Sequence, residues 1–418
     1  MKRSSGPLCV LALLLGSCSG LKHATPERPL FAGFELEWDQ PPVEERKALT
    51  KELAAVVRPA PNNSLLGLRP TVALHNAFKE PVKPKGLKNL LKNKIGSAPV
   101  YLADVPLNDI NAAFENRLNN HGYFGALSRY EVRTEGRKAR VVFNITAGTP
   151  HRLRNITYAD STDTLNTLIA RARKDSPLEA GQLYDLGRLD KERDRVVGTL
   201  RNTGWYYLKN DDLVFAADTS KEPHTMDLRL RLKREAGTKA RQRYTLGNVR
   251  VHGDHDALLP PNDSVLVDSA WYINYLNNYR PDAILRGVFL RPGQFYSALR
   301  ADLTTQHLGS FGVFKSIQIL FAEDSARIGV LNTDVVLAPQ KRWSLFSELN
   351  AVSKSNNFAG PGVRVGFKDR DLFRGAEILT VDLNGRFETQ VAGAQKGTNA
   401  YEIGAKVALR IPRIVPFR

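Results

Sequence analysis

Sulfur chemistry is almost missing from this 418-residue sequence, which has two cysteines, Cys9 and Cys18, and two methionines. A disulfide-rich scaffold and a cysteine-bound metal cluster are therefore excluded as organising devices. Beyond the N-terminus there is no run of about eighteen apolar residues, so no membrane-spanning helix is expected. That absence leaves a β-barrel untouched, because barrel strands are individually weak hydropathy signals. A Gly-x-Ser-x-Gly nucleophile elbow, a Gly-rich phosphate loop ending in Lys and Ser or Thr, and a helix-borne His-Glu-x-x-His pair are all lacking. No pattern supports an enzyme, and none calls for a cofactor or a catalytic metal. Acidic residues are outnumbered 43 to 60 by lysine and arginine, giving a formal charge of +17. The length predicts two to four domains, at about 100 to 200 residues each.

The N-terminus reads as a processing signal. Lys2 and Arg3 form a basic start, Leu8 to Leu15 an apolar core of eight residues, and Leu15-Gly16-Ser17-Cys18 follows. Such a core is too short for a permanent span. Leu-Gly-Ser-Cys resembles the lipobox of bacterial lipoproteins, which implies a signal peptide over 1–17 and lipid attachment at Cys18. The alternative is an ordinary secretory signal with an incidental cysteine. Under the lipobox reading Cys9 leaves with the signal, and the mature chain keeps no free thiol. An exported chain does not meet nucleic acid, so the positive charge needs another reading. Its densest cluster, Lys79, Lys83, Lys85, Lys88, Lys92 and Lys94, is expected to be a solvated helix face. Attraction to anionic lipid head groups is the second reading.

Between the signal and the C-terminal segment one unit recurs three times. Each has an amphipathic helix, a glycine with aromatic or apolar neighbours, and then two strands. In the first, Leu107, Ile110, Phe114 and Leu118 share a helical face, Gly122-Tyr123-Phe124 follows, and strands are expected at 129–133 and 139–145. The second has Leu186, Leu189, Val196, Val197 and Leu200, then Gly204-Trp205-Tyr206-Tyr207, then strands at 212–217 and 226–232. The third has Leu299 and Leu303, then Gly312-Val313-Phe314, then strands at 317–321 and 328–337. Glycine accepts the left-handed conformation that ends a helix, after which the aromatics are free to fold back on it. Gly181-Gln182-Leu183-Tyr184 and Gly293-Gln294-Phe295-Tyr296 are a further echo, each opening the helix before its glycine. Opening strands at 31–38, 153–158 and 244–251, and a first helix clearest at 45–57, complete the order β-α-α-β-β. Three occurrences in one context make a repeat.

From Arg342 onward the period is two. Tyr401, Ile403, Ala405, Val407, Leu409 and Ile411 alternate with Glu402, Gly404, Lys406, Ala408 and Arg410. Val363, Val365 and Phe367 alternate with Arg364, Gly366 and Lys368, and Leu379, Val381, Leu383 and Phe387 with Thr380, Asp382, Asn384 and Arg386; Trp343, Leu345 and Leu349 begin the series. About four strands of about ten residues fit here, as in a transmembrane barrel wall. A soluble sandwich with one buried face uses the same alternation.

These units resemble polypeptide-transport-associated (POTRA) domains leading into the barrel of the BamA/TamA outer-membrane superfamily. The motif Gly366-Phe367-Lys368-Asp369-Arg370-Asp371-Leu372-Phe373-Arg374-Gly375-Ala376-Glu377 resembles the turn between barrel strands two and three. Its signature residues here are Gly366, Phe367, Arg370, Leu372, Phe373, Gly375 and Glu377. Ile411-Pro412-Arg413-Ile414-Val415-Pro416-Phe417 resembles the turn entering strand five. The lipobox, Lys94-Ile95-Gly96-Ser97-Ala98-Pro99-Val100 and the segment 289–296 resemble the lipidated TamA-like (TamL) branch of Bacteroidota. The resemblance implies an α+β fold of three tandem POTRA domains and the first about four antiparallel strands of an outer-membrane β-barrel. The expected boundaries are 1–17 signal, 18–28 lipidated linker, 29–149, 150–237 and 238–341 for the three domains, and 342–418 for a truncated barrel start. It further implies an outer-membrane protein with periplasmic repeats that binds unfolded outer-membrane clients and hands them on for insertion. Alternatives are a translocator of one dedicated substrate, or a periplasmic module recruiting a TamB-like partner. Outer-membrane lipid is the other expected partner. Ser19-Gly20-Leu21-Lys22-His23 lacks the acidic residues that direct surface exposure in similar lipoproteins.

Two smaller signals remain. His252-Gly253-Asp254-His255-Asp256 gathers zinc-binding side chains. It follows a strand and precedes Leu-Leu-Pro-Pro, so a solvated loop is expected. Asp163-Thr164-Leu165 and Asp324-Ser325-Ala326 resemble the O-glycosylation acceptor pattern of Bacteroidota.

Overall fold

The computed structural model describes residues 21–42, 44–65, 67–80, 86–160, 163–355, 358–390 and 399–412. The signal, Cys18, Lys83, Lys85 and residues 413–417 of the second turn motif lie outside them. The chain divides into two compact units, 1–160 with 170–192 and 215–231, and 161–169 with 193–214 and 232–418.

In the first unit, β1 (Leu30–Gln40) is followed by α1 (Arg46–Val56), α2 (Pro70–Ala77) and α3 (Leu87–Asn89), which runs on as a π-helix over Leu90–Ile95. Then come α4 (Leu107–Asn120), β2 (Leu127–Glu135) and β3 (Lys138–Thr146). The sheet order is β1-β3-β2, with β1 parallel and β2 antiparallel to the central strand. Helical spacing places Leu49 and Leu53 of α1 with Ile110, Phe114 and Leu118 of α4 on one core with Phe31, Val141, Phe143 and Ile145. Each such side chain contributes about 1.5–3 kcal/mol by leaving water. Phe114 meets Phe143 edge-on at 5.0 Å.

The second repeat has β4 (Arg152–Tyr158), α5 (Thr164–Arg171), α6 (Leu186–Arg201), β5 (Leu213–Asp218) and β6 (Thr225–Leu232). Its sheet order, β4-β6-β5, repeats the first, and β4 again runs parallel to the central strand. Leu153, Leu178, Leu189, Met226 and Leu228 form a core within the first unit. Leu186, expected inward, is exposed at the start of α6.

The third repeat keeps the β-α-α-β-β order with a hairpin inserted after its opening strand. After β7 (Thr245–His252) the chain forms a hairpin, β8 (Asp263–Val267) and β9 (Ala270–Asn274), and only a five-residue α7 (Pro281–Leu285). Next come α8 (Ala298–Phe311), β10 (Phe314–Glu323) and β11 (Val330–Pro339), in a five-stranded sheet ordered β10-β11-β7-β9-β8. Leu299 and Leu303 do not form the inward face of α8; both are exposed, and Thr304, Leu308 and Phe311 are buried instead. Thr304 tolerates burial because its hydroxyl donates to the Arg300 carbonyl at 2.8 Å and accepts from Phe289 N at 3.0 Å. The last strand starts at Val330, not Ile328, because Gly329 turns at φ 75°.

The final sheet is antiparallel and open, in the order β12 (Trp343–Ser353), β13 (Phe358–Asp369), β14 (Ile378–Gln390) and β15 (Asn399–Arg410). Its strands are 11, 12, 13 and 12 residues long, enough for the ~9–11 residues that a tilted strand needs to cross a bilayer. Register aligns the alternation across all four strands. Leu345, Phe367, Val381 and Val407 form one row, and Leu349, Val363, Gly385 and Ile403 another. The opposite face carries rows such as Glu348, Arg364, Asn384 and Gly404, with Arg364 paired to Asp382 at 3.0 Å and Lys354 to Glu388 at 2.7 Å. Most side chains of the apolar rows are exposed. Among the described residues no helix is long and apolar enough to cross a membrane.

Candidate functional site

In all three repeats the strand directly after the glycine, β2, β5 or β10, lies at a sheet edge. The edge positions follow from the fold. The opening strand and the closing strand pair in parallel, which leaves the middle strand with one neighbour. An edge strand presents unpaired N–H and C=O groups to which an extended chain can add. In the third repeat the hairpin covers the other flank of β7, so β10 and β8 are its edges.

The glycines sit where the repeats are joined. Gly122, Gly204 and Gly312 have φ of 87°, 110° and 73°. Gly122 N donates to Asn119 O at 2.9 Å and Tyr123 N to Leu118 O at 3.0 Å, the paired bonds that satisfy the orphan carbonyls of a helix end. Trp205 N reaches Leu200 O in the same way. The glycine carbonyl then accepts from the next repeat: His151 N to Gly122 O at 2.9 Å, Tyr244 N to Gly204 O at 2.8 Å. The relay continues, since Tyr184 N donates to His151 O and Tyr296 N to Tyr244 O. Thus Gly-Gln-Leu-Tyr and Gly-Gln-Phe-Tyr serve the joints: Leu153 N donates to Gln182 O and Leu246 N to Gln294 O, both at 2.8 Å.

Side chains complete each joint. Tyr123 is buried, while Phe124 is exposed and packs against His151 and Tyr184 at 5.0 and 5.1 Å. His121 lies between Glu52 at 3.0 Å and Asp185 at 3.1 Å, beside a cleft of about 160 Å³ lined by Glu44, Glu45, Arg152 and Arg188. At the second joint Trp205 is buried, and Tyr206 meets Tyr296 at 4.7 Å. The Arg243 guanidinium lies 3.3 Å from the centre of the Phe295 ring. Bonds from Lys239 and Tyr207 hold Glu323 below the usual carboxylate range, and the same bond raises the Tyr207 hydroxyl. Val313 and Phe314 are buried in the third core.

The turn between β13 and β14 docks onto the third repeat. Ala376 and Ile378 enter its core. Arg280 N donates to Arg374 O at 2.8 Å, and Arg374 Nη2 donates to Asn277 O at 2.7 Å. Arg370 Nη1 donates to Lys341 O and Ser344 Oγ, both at 3.0 Å. Glu377 is buried and accepts from Gly375 N at 2.8 Å. Gly366 leaves room for the Phe346 ring, which a Cβ there would strike. Phe367 lies in an apolar row of the sheet, Leu372 is half-buried and Phe373 exposed. Burial pushes the Asp371 carboxyl up to about 6. On β15, Arg410 Nη2 donates to Phe311 O at 2.6 Å and to Ser310 O, capping α8.

The segment at His252 is not a solvated loop. Asp254 is fully buried and accepts from Tyr275 N, Leu276 N and Asn278 N at 2.8, 3.0 and 2.9 Å. It fixes the chain that leads to the docking residue Asn277. His252 is held by the Tyr275 hydroxyl at 2.9 Å and by Asp334 at 3.1 Å. Among the described residues no group of three or more His, Cys, Asp or Glu is arranged to hold a metal ion. Asp163 caps α5, accepting from Asn166 N at 2.8 Å, and Asp324 holds the turn between β10 and β11, accepting from Arg327 N at 3.0 Å.

No protein-family profile and no curated protein matches the chain. Among solved structures it is similar to BamA POTRA3-5 of Haemophilus influenzae, at 11% identity and a TM-score of 0.38, covering 74% of this chain and 96% of that one. It is also similar to BamA from Haemophilus ducreyi lacking POTRA domains 1-3, at 12% identity and TM-score 0.34, over 62% of this chain and 47% of that one. CdiB from Acinetobacter baumannii is similar at 12% identity and TM-score 0.28, over 57% of this chain and 40% of that one. The fold assignment rests on sheet order and register. The fold is α+β, three POTRA-like repeats followed by an open four-stranded sheet.

Proposed function

We propose that this chain belongs to a lipid-anchored outer-membrane assembly or translocation factor that works without catalysis. The observation that carries the reading is the open edge at the strand after the glycine in every repeat, in a chain whose final sheet has one continuous apolar face. Main-chain hydrogen bonds at such edges hold an extended client with little demand on its sequence. Cys18 is the proposed lipid site, the repeats face the periplasm, and unfolded outer-membrane proteins are the clients. Depleting the protein in its host should lower the abundance of several outer-membrane proteins and weaken the envelope. An unchanged outer-membrane proteome with an intact envelope would remove this role. Loss of one secreted protein alone would assign the chain to dedicated translocation instead.

A further inference from the structure

We infer that the first repeat carries a second membrane-contact surface, in which the insert between α1 and α4 docks on anionic phospholipid head groups. The inference builds on the outer-membrane reading above. About fifty residues, with α2, α3 and the π-helix among them, separate α1 from α4. The insert is closed at its base by Asn62 and tied to the start of β1 by Arg69. Asn62 donates to Ala98 O at 2.9 Å and accepts from Val100 N at 2.9 Å, and Arg69 Nη2 donates to Ala32 O at 2.8 Å.

What the insert turns outward is positive and apolar. Among its described residues Lys79, Lys88 and Lys94 are exposed, Arg69 and Lys92 are buried, and the one acid is Glu80. That acid is already engaged, because the buried Lys92 pairs with it at 2.9 Å. Leu87, Leu90 and Ile95 are 71, 41 and 52% exposed on the same short helix as the exposed Lys88 and Lys94. Apolar residues set among lysines match a head-group region, with the amines at phosphates and the apolar side chains at the acyl boundary. An acidic protein surface would answer the lysines and leave the leucines in contact with charge.

The N-terminal arm places this surface near the bilayer. Leu21 and Ala24 pack with Leu30 and Tyr101, and Phe31 N donates to Val100 O at 2.8 Å at the insert's exit. Arm and insert therefore leave the same end of the repeat. Cys18 precedes Leu21 by three residues, a reach of ~10 Å. Each lysine near an anionic surface then adds to the attraction.

The test uses the full chain with Cys9 and Cys18 replaced by serine and one new cysteine, Leu87→Cys or Leu90→Cys, carrying a polarity-sensitive dye. Vesicles of phosphatidylcholine, with or without phosphatidylglycerol, carry brominated acyl chains. The expected result is a blue shift and quenching several-fold stronger on the anionic vesicles. Raised salt, or Lys79→Glu with Lys88→Glu and Lys94→Glu, should reverse both effects. A dye at Ser220→Cys in the second repeat should stay unquenched, so adsorption through the final sheet is not mistaken for docking of the insert. An unquenched dye at both positions on vesicle-bound protein would overturn the inference. So would equal quenching on neutral vesicles, or a dye response to polyglutamate alone. Failure here leaves the assembly role standing, and failure of that role leaves this contact intact.

Discussion

At Gly204 the strain of φ 110° and the crowding of a joint coincide, because an added Cβ would come within 2.7 Å of Arg243 Cγ and 3.2 Å of the Phe295 ring. Gly181 has φ 86° with nothing near. Gly181→Ala should cost about 1–2 kcal/mol of strain alone. Gly204→Ala should cost about 2–4 kcal/mol, since a rigid neighbour must also move. Urea unfolding of the two variants side by side checks the difference. Asp254 is a different kind of residue, a buried carboxylate that satisfies three amides. Asp254→Ala should destabilise the third repeat by about 3 kcal/mol or more, because three donors lose their partner. Added zinc should leave the melting temperature of the parent unchanged. Substitution of Asp371 should act in the opposite direction. Its raised value means that the folded chain keeps a proton that the unfolded chain has released between the ordinary carboxylate value of ~3.9 and about 6. Stability should therefore fall as pH rises through that window. Asp371→Asn should flatten the slope and raise stability at neutral pH by roughly 1–2 kcal/mol, read from melting curves between pH 4 and 7.

Elements differ in how openly the sequence declares them. The final sheet was legible because an alternation of period two survives only if register carries it from strand to strand, and Leu345, Phe367, Val381 and Val407 do share a row. The helix of the first repeat was legible because Ile110, Phe114 and Leu118 all point inward. In α8 the same reasoning failed, since a buried threonine with a satisfied hydroxyl does not register as apolar. The β8–β9 hairpin was hidden for a related reason. Its turn uses Asp268 and Ser269 at φ 49° and 66°, a conformation usually announced by Asn-Gly or Asp-Gly. The role of Asp254 was invisible because its amide partners lie 21 to 24 positions away. The joints were half legible: the glycines stand out, but nothing local reveals that their carbonyls serve the following repeat. A test at this scale uses the two faces of β13. If the sheet spans a bilayer as proposed, Val365→Arg should cost about 2–4 kcal/mol at mid-bilayer. Arg364→Gln on the other face should cost under about 1 kcal/mol, as a partly exposed pair. Denaturant unfolding in lipid vesicles separates the two.

For the molecule as a whole the final sheet sets a demand that its own residues do not meet. β12 and β15 are its two edges, and a bilayer does not tolerate unpaired strand edges. Four strands spaced about 4.8 Å apart put these edges roughly 14 Å from each other. Under the outer-membrane location proposed above, each edge therefore needs a partner other than the opposite edge of this sheet. The geometry offers a clean measurement. Leu345 and Val407 lie in one row, on β12 and β15. At that separation a disulfide between them within one sheet is impossible, because bridged Cα atoms lie at most about 7 Å apart. In a chain of these residues alone, with Cys9 and Cys18 replaced, Leu345→Cys and Val407→Cys together should oxidise in micelles to dimers and higher ladders. Each single variant should give at most a dimer. A monomer with an internal disulfide would mean that the sheet had curled shut, and would overturn the open-sheet account.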